Sequence, residues 1–211
     1  MAKMISALKQ RSARPFLLLL LLCGLFAIVD TGHGRFVNTA TLFSVLQQFA
    51  TIGPVALGLG LTMIAREYDL SVGGVMSLAG CVAVLTGETN PAIGLATALL
   101  VGSAYGLAQG TLQTKLRIGS VGITLGGLLI AGGLTYVITD NMTIGYGRSD
   151  IAAAVNAPTF GVLSLRAVSA FAAYSLAIFF FSFTKLGRDL IATGSDRRAA
   201  RTAGVFTAAV I

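Results

Sequence analysis

Charged residues are scarce in this chain of 211 residues, and their scarcity excludes an ordinary soluble domain. Asp, Glu, Lys and Arg make up 11% of the sequence, whereas hydrophobic residues make up 55%. Soluble domains carry roughly 25% charged residues, so the composition indicates a membrane protein. The only two cysteines, Cys23 and Cys81, lie within apolar runs, which argues against a disulfide framework.

Asp, Glu, Lys, Arg and His are absent from five apolar spans, which argues against an ion-coupled carrier. Such carriers usually place ionisable groups at mid-membrane. The phosphate-binding pattern G-x-x-x-x-G-K-[ST] is also missing, so we expect no ATP hydrolysis by this chain. Without a catalytic triad or a metal-ligand cluster, we expect no enzyme activity and no cofactor. Any energy for transport must then come from another protein. The five spans are residues 41–64, 72–87, 91–113, 121–139 and 167–183.

The dominant feature of the sequence is a series of apolar runs that suit membrane helices. A shorter run at residues 16–29 precedes the five spans, and another begins at Val205 and continues to Ile211. The pattern predicts an all-α polytopic integral membrane helix bundle with six transmembrane helices and the start of a seventh. We interpret residues 1–211 as a single transmembrane domain. Gly102, Gly106 and Gly110 predict close packing of the fourth span against a neighbouring helix.

Positive charge predicts the orientation, because Lys and Arg are retained on the cytoplasmic side. With six alternating spans, twelve basic residues fall on one side and three on the other, so we expect a cytoplasmic N-terminus. The net charge is +7, and the basic residues flank the apolar spans. This position favours contact with a lipid surface over contact with nucleic acid. The twelve are Lys3, Lys9, Arg11, Arg14, Arg66, Lys115, Arg117, Lys185, Arg188, Arg197, Arg198 and Arg201, and the three are Arg35, Arg148 and Arg166.

One long polar and basic stretch, residues 187–205, follows the sixth span on the predicted cytoplasmic side. Asp196 is a suitable N-cap for a short helix, and Gly204 can end that helix in the left-handed conformation. Between them, arginines alternate with alanines, which predicts a charged face and a smooth face. Such a helix can dock on a partner, although a topogenic flank or an anionic-lipid contact would also explain the arginines. The residues predicted to form this coupling segment, residues 187–204, are Gly187, Arg188, Gly194, Asp196, Arg197, Arg198, Ala199, Ala200, Arg201 and Gly204.

Two further sites have both a structural and a functional interpretation. The D-L-S-V-G-G sequence at residues 69–74 supplies N-cap candidates in Asp69 and Ser71 for the third span, and it is also a candidate hinge. Its candidate residues are Asp69, Leu70, Ser71, Val72 and Gly73. Gln47 and Gln48 are polar within the second span. They either line a path for a hydroxylated solute or form hydrogen bonds to a neighbouring helix.

Three stretches resemble permease subunits of bacterial ABC importers of the ribose type. They are D-L-S-V-G-G, the I-G-S-V-G-I-T-L-G-G segment at residues 118–127, and the G-R-x-x-x-A-x-G-x-x-x-x-A-A-R-x-x-G-V pattern at residues 187–205. They occur in the family's order. Gln48 also matches a glutamine that the family tends to have. Because family subunits continue with further spans, the resemblance implies that the chain is incomplete at its C-terminus.

The resemblance implies a transport subunit that is not itself an enzyme. It implies a separate ABC ATPase subunit below, a solute-binding protein above and a second permease subunit, homo- or heterodimeric, in a bacterial inner membrane. The expected solute is ribose or a related monosaccharide. Importers of branched-chain amino acids or nucleosides share this architecture, and a passive channel or a membrane scaffold is the alternative from a different class. We expect a bulky charged substitution of Ala200 to uncouple ATP hydrolysis from uptake.

Overall fold

The computed structural model describes residues 14–207 apart from residues 31, 33 and 117. Lys3, Lys9, Arg11 and Arg117 and most of the predicted seventh span, residues 208–211, lie outside this part of the chain. The helices are α1 Arg14–Val29, α2 Thr39–Ile64, α3 Val72–Thr86, α4 Pro91–Leu116, α5 Ser120–Ile138, α6 Ser149–Asn156, α7 Leu165–Phe183, α8 Lys185–Ser195 and α9 Arg197–Thr202, and the strands are β1 Pro158–Phe160 and β2 Leu163–Ser164.

Four helices, α2, α4, α5 and α7, are long and apolar enough to cross a membrane. α1 and α3 are also apolar but shorter, with 16 and 15 residues. The predicted all-α membrane helix bundle is therefore confirmed, whereas the number of six spans plus a seventh stays a prediction. The predicted bounds of spans two to six differ from the observed helix bounds by three residues at most.

Hydrogen bonds between helix ends define the two ends of the bundle. At the end that carries α8 and α9, here called the coupling end, the Tyr68 amide donates to Ser120 Oγ at 3.2 Å. At the opposite end, the hairpin end, Tyr146 Oη donates to the Gly87 carbonyl at 3.0 Å. α3 therefore runs from one end of the bundle to the other. Its fifteen residues reach about 22 Å at 1.5 Å per residue.

Small residues fill the interior of the bundle, while large apolar side chains point outward. Ala131, Ala167 and Ala170 are buried. By contrast, Leu99 on α4 and Leu129 on α5 remain 64% and 70% exposed. Lipid tails are as apolar as these leucines, so close packing of small residues holds membrane helices together. This distribution supports the assignment as a membrane protein.

The three-helix group, α3 to α5, is held by close backbone approaches. α3 packs against both α4 and α5. A Cβ at Gly74 would lie 2.8 Å from the Leu128 carbonyl oxygen, and a Cβ at Gly94 would lie 2.8 Å from the Gly87 Cα. Only glycine permits these approaches, because it has no side chain.

In the α2–α7 group, which also contains α8 and α9, side chains join α2 to α7. The Phe49 ring lies 5.0 Å from the Phe171 ring and 5.4 Å from the Tyr174 ring. Tyr174 Oη also donates to the Gly53 carbonyl at 2.9 Å. Within the described ranges, no extensive backbone packing joins α2 to α3, α4 or α5. The bundle thus consists of two groups that meet over a limited area.

The segment at residues 140–158, interpreted from sequence as a polar loop, contains a short helix. α6 begins at Ser149, and Asp150 lies in its first turn, where a carboxylate is favourable. β1 and β2 then pair antiparallel, with Gly161 at φ +67° between them. Gly-, Asn- and Asp-rich composition concealed this helix, since eight residues are too few for a clear periodic signal.

Candidate functional site

Asp196 caps α9, as the sequence predicts. Its Oδ1 accepts hydrogen bonds from the backbone amides of Arg198 at 2.8 Å and Ala199 at 3.0 Å. These two amides, followed by the positive charge of Arg66, lower the pKa of the Asp196 carboxyl. The side chain therefore stays ionised at neutral pH and satisfies amides that the first turn of the helix leaves unpaired.

Gly204 ends α9 in the left-handed conformation, as predicted, at φ +85°. Its amide donates to the Arg201 carbonyl at 3.0 Å, and the Val205 amide donates to the Ala200 carbonyl at 3.0 Å. This pair of hydrogen bonds is the Schellman arrangement, which satisfies carbonyls that the last turn of a helix leaves unpaired. Both boundaries of α9 thus follow from local sequence.

A second helix, α8, occupies the first half of the coupling segment and was not separated from it by sequence. Thr184 caps it, since its hydroxyl accepts a hydrogen bond from the Gly187 amide at 3.0 Å. A side chain at Gly187 would collide with the Phe180 carbonyl, and one at Gly194 would overlap the Ile64 carbonyl. These two glycines therefore fix α8 against α7 and the end of α2, and neither glycine is available for contact with a partner protein.

The exposed part of the coupling segment is narrower than the sequence suggested. Ala200 is only 5% exposed, so its methyl group packs inward and offers no surface to a partner. A bulky charged substitution there would disturb α9 itself, and uncoupling would not report on docking. Gly187 and Gly194 are also buried, whereas Arg188, Asp196, Arg197, Arg198, Ala199, Arg201 and Gly204 are exposed.

The D-L-S-V-G-G sequence forms a turn before α3. Asp69 Oδ1 accepts hydrogen bonds from the Ser71 amide at 2.8 Å and the Ser71 hydroxyl at 2.6 Å. Ser71 stands at the N-cap position of α3 without a capping hydrogen bond from its side chain. Ser71 is buried, Val72 is half-buried, and Leu70 and Gly73 are exposed. Ser71 therefore occupies the predicted N-cap position, but neither side chain caps α3, and Asp69 instead anchors the turn. A hinge role for Leu70, Val72 and Gly73 stays a prediction.

Glu67 joins three parts of the chain, although only its position directly after the second span could have pointed to it from sequence. Its Oε2 accepts a hydrogen bond from Gln113 Nε2 of α4 at 2.8 Å. Its Oε1 forms an ion pair with Arg197 of α9. The Glu67 side chain is 17% exposed and the Arg197 side chain 43%. The linker between α2 and α3 therefore connects the coupling segment to the three-helix group.

The same linker is fixed to α5 through its backbone. Besides the bond from the Tyr68 amide to Ser120 Oγ, Thr124 Oγ1 donates to the Tyr68 carbonyl at 3.2 Å. Ser120 and Thr124 are both buried. A displacement of the linker would therefore affect α4 and α5 together.

A cavity of about 590 Å³ lies between the two helix groups, within the range of small-molecule sites. Gly102 and Gly106 line it, and a Cβ at either position would meet open space. The predicted close packing is therefore not observed at Gly102 and Gly106 among the described residues, where the two glycines leave room for the cavity, and it stays a prediction for Gly110. Its polar lining includes Thr51, Thr62, Glu67, Asp69, Ser71, Tyr105, Gln109, Gln113, Ser120 and Thr124.

The glutamines predicted as candidates for lining a path lie outside this cavity. Gln47 Nε2 donates to the Asn156 carbonyl at 2.8 Å, and Gln47 Oε1 accepts from Ser164 Oγ at 2.9 Å. Gln47 thus links α2 to α6 and β2, which is the structural alternative. Gln48 is exposed, and its side chain forms no hydrogen bond within the described ranges. The amides that reach the cavity are instead Gln109 and Gln113 of α4.

A helical membrane bundle with a solute-sized cavity, beside a capped polar segment at one end, defines a protein of the permease class. The comparison of sequences gives the family. The chain belongs to the family described as the permease component of branched-chain amino acid transport systems, whose sequence profile matches residues 41–210.

Curated relatives are transport permeases. The chain is 29% identical over 197 residues to the ribose import permease protein RbsC of Escherichia coli K12, covering 89% of this chain and 60% of the relative. It is 29% identical over 201 residues to the autoinducer 2 import system permease protein LsrC of Yersinia pestis (strain Pestoides F), covering 93% and 56%. It is 26% identical over 178 residues to the inner membrane ABC transporter permease protein YjfF of E. coli K12, covering 82% and 54%.

The chain therefore spans between about half and three fifths of the length of these relatives. No solved structure matches the chain significantly.

Proposed function

We propose that the chain is a membrane-spanning subunit of an ATP-driven ABC importer and that its cavity forms part of the path for a neutral, hydroxylated solute such as a monosaccharide. The observation that supports this most is the chemistry of the cavity wall. Among the described residues that line it, the charged ones are Glu67 and Asp69, and the other polar groups are hydroxyls and amides. Hydroxyls and amides suit a polyol, which needs both donors and acceptors.

The charge of the wall disfavours anionic solutes. A carboxylate or phosphate in the cavity would approach Glu67 and Asp69 without a cation on the described lining, and like charges repel strongly in a low-dielectric site. The ribose and autoinducer 2 relatives agree with a sugar-type solute. Branched-chain amino acids are the second candidate, favoured by the description of the family, but their carboxylate lacks a cationic partner in this wall.

The energy is proposed to enter through the exposed part of the coupling segment. Arg188 and Arg198 are exposed, and neither side chain has a hydrogen bond or ion pair in the described part of the chain. Their guanidinium groups are therefore available to carboxylates of an ABC ATPase subunit. This assignment places the coupling end in the cytoplasm of a bacterium, with a solute-binding protein and a second permease subunit as further partners.

Uptake into proteoliposomes tests this proposal. The chain would be reconstituted with the ATPase, permease and solute-binding proteins encoded beside it, and uptake of radiolabelled ribose, leucine and adenosine would be compared with and without ATP. We expect ATP-dependent uptake of the sugar and little uptake of leucine. Uptake of leucine alone would support the amino acid alternative, and uptake of solutes without ATP would indicate a passive channel.

A further inference from the structure

In the described part of the chain, Glu67 stands where the coupling segment, the three-helix group and the cavity meet. Its carboxylate is shared between Arg197 of α9 and Gln113 of α4. Glu67 and Gln113 also line the cavity. We propose that Glu67, Gln113 and Arg197 form a latch that closes the coupling end of the cavity and makes its opening depend on the position of α9. This inference rests on the proposed function.

The backbone before Glu67 holds its side chain in this position. Arg66 adopts the left-handed conformation at φ +60°. Its amide donates to the Met63 carbonyl and the Glu67 amide donates to the Thr62 carbonyl, both at 3.0 Å. α2 thus ends in a Schellman arrangement, with Glu67 directly after the left-handed residue. The backbone of Glu67 is therefore fixed to the end of α2, and its carboxylate is held by Gln113 and Arg197.

Arg197, by contrast, sits on an element that can be displaced. It is the first residue of α9, which has six residues, and its side chain is 43% exposed. The Arg197 end of the ion pair is partly exposed, so solvent screens the pair and a partner that pulls on α9 can break it. The Glu67 carboxylate then keeps only its hydrogen bond to Gln113, and α9 is no longer held to the linker.

The latch makes Glu67 a positioning residue, since its effect on transport would pass through α9 and α4. If Arg197 and Glu67 only stabilised the fold, removing either would lower stability without changing access to the cavity. If they close the cavity, removing either would raise access from the coupling end. A reversal of both charges would restore closure, because Gln113 can present its amide oxygen to an arginine at position 67 as readily as its amide nitrogen to a carboxylate.

Accessibility of a reporter thiol measures this closure directly. Gly58 lines the cavity and a Cβ there would meet open space, so Gly58→Cys places a thiol in the cavity without a clash. The background carries Cys23→Ala and Cys81→Ala. The full chain, in native membranes with its partner subunits, would be labelled with a membrane-impermeant maleimide in inverted and in right-side-out vesicles, with the labelling rate as the readout.

We expect Glu67→Gln and Arg197→Gln each to raise the labelling rate from the coupling end by about threefold to tenfold. The double variant Glu67→Arg with Arg197→Glu should return the rate towards that of the parent. Lys185→Gln is the matched control, because the Lys185 side chain is exposed at the coupling end, outside residues 187–204, without a described partner, and it should leave the rate unchanged. Size-exclusion profiles of each variant verify folding.

Equal labelling rates in the parent and both single variants would overturn the latch, as would a double reversal that labels as fast as the single variants. This result is separable from the transport proposal. If the variants label as expected but ATP-dependent uptake is absent, the proposed function is refuted and the latch is retained. Intact uptake with unchanged labelling would refute the latch alone. An increase that appears only in right-side-out vesicles would refute the proposed orientation.

Discussion

The contacts within the three-helix group differ in kind from those within the α2–α7 group, and the difference indicates which helices can move. In the three-helix group, glycines bring backbones into direct contact, as at Gly74 with Leu128 and at Gly87 with Gly94. In the α2–α7 group, aromatic rings and polar side chains join α2 to its neighbours, as at Phe49 and Gln47, while close glycine contacts are confined to α8. Closely packed backbones have few alternative arrangements, whereas side chains can change rotamer, so the second group is better suited to follow the coupling segment.

The largest expected effect comes from breaking the backbone contact of the three-helix group. Gly74→Ala places a Cβ 2.8 Å from the Leu128 carbonyl oxygen, so α3 must move away from α5. We expect a loss of roughly 1–3 kcal/mol in the free energy of unfolding in detergent, measured by thermal unfolding. Gly73→Ala is the matched control, because a Cβ at that position meets open space. Equal midpoints for the two variants would show that α3 and α5 do not pack in this way.

The next effect comes from the polar link of the α2–α7 group. Gln47→Leu removes the donor to the Asn156 carbonyl and the acceptor for Ser164. We expect a loss of about 1–2 kcal/mol in the free energy of unfolding, because two hydrogen-bonding groups lose their partner. Gln48→Leu changes an exposed residue of the same helix and should have almost no effect. Thermal unfolding distinguishes them, and greater destabilisation by Gln48→Leu would contradict the assignment.

A smaller, local effect is expected at the N-cap of α9. This helix is the proposed contact between the α2–α7 group and the ATPase subunit. Hydrogen bonds from the Ala199 and Arg198 amides lower the pKa of Asp196 in the folded chain. A lowered pKa means that the cap contributes above the unfolded pKa, about 3.9, and is lost as the pH falls through the folded pKa. Amide exchange of Ala199 should therefore stay protected from pH 7 to pH 5.

Substitutions at Asp196 sharpen this prediction. Asp196→Asn keeps an oxygen acceptor and should preserve protection of the Ala199 amide, whereas Asp196→Ala should remove it, because alanine cannot cap a helix. Hydrogen exchange followed by mass spectrometry of the α9 peptide measures the difference. Protection that survives Asp196→Ala would show that the cap does not hold α9.

The smallest effect is expected at the boundary between the groups. Gly106→Ala adds a methyl group that points into the cavity, so we expect no destabilisation. A gain of up to about 1 kcal/mol is expected from the higher helix propensity of alanine. A destabilisation of more than 1 kcal/mol would show that another helix occupies this space, and the thermal midpoint is again the measurement.

Local signals in the sequence predicted the parts of the structure that depend on neighbouring residues. The caps of α9 follow from Asp196 and Gly204, and the helix positions follow from long apolar runs. Contacts between distant residues could not be predicted in this way. Arg197 meets Glu67 across 130 positions and Gln47 meets Ser164 across 117, and no local pattern encodes such pairs. For the same reason, the inward position of Ala200 and the cavity beside Gly106 became visible only in the fold.

Crosslinking between the coupling segment and the ATPase subunit tests the central claim most directly. Arg198→Cys and Ala200→Cys would be compared on the background without Cys23 and Cys81, using a short bismaleimide and membranes that contain the ATPase subunit. The account predicts an adduct with the ATPase subunit from the exposed position 198 and none from the buried position 200. The absence of any adduct from position 198, with the assembled complex present, would contradict it.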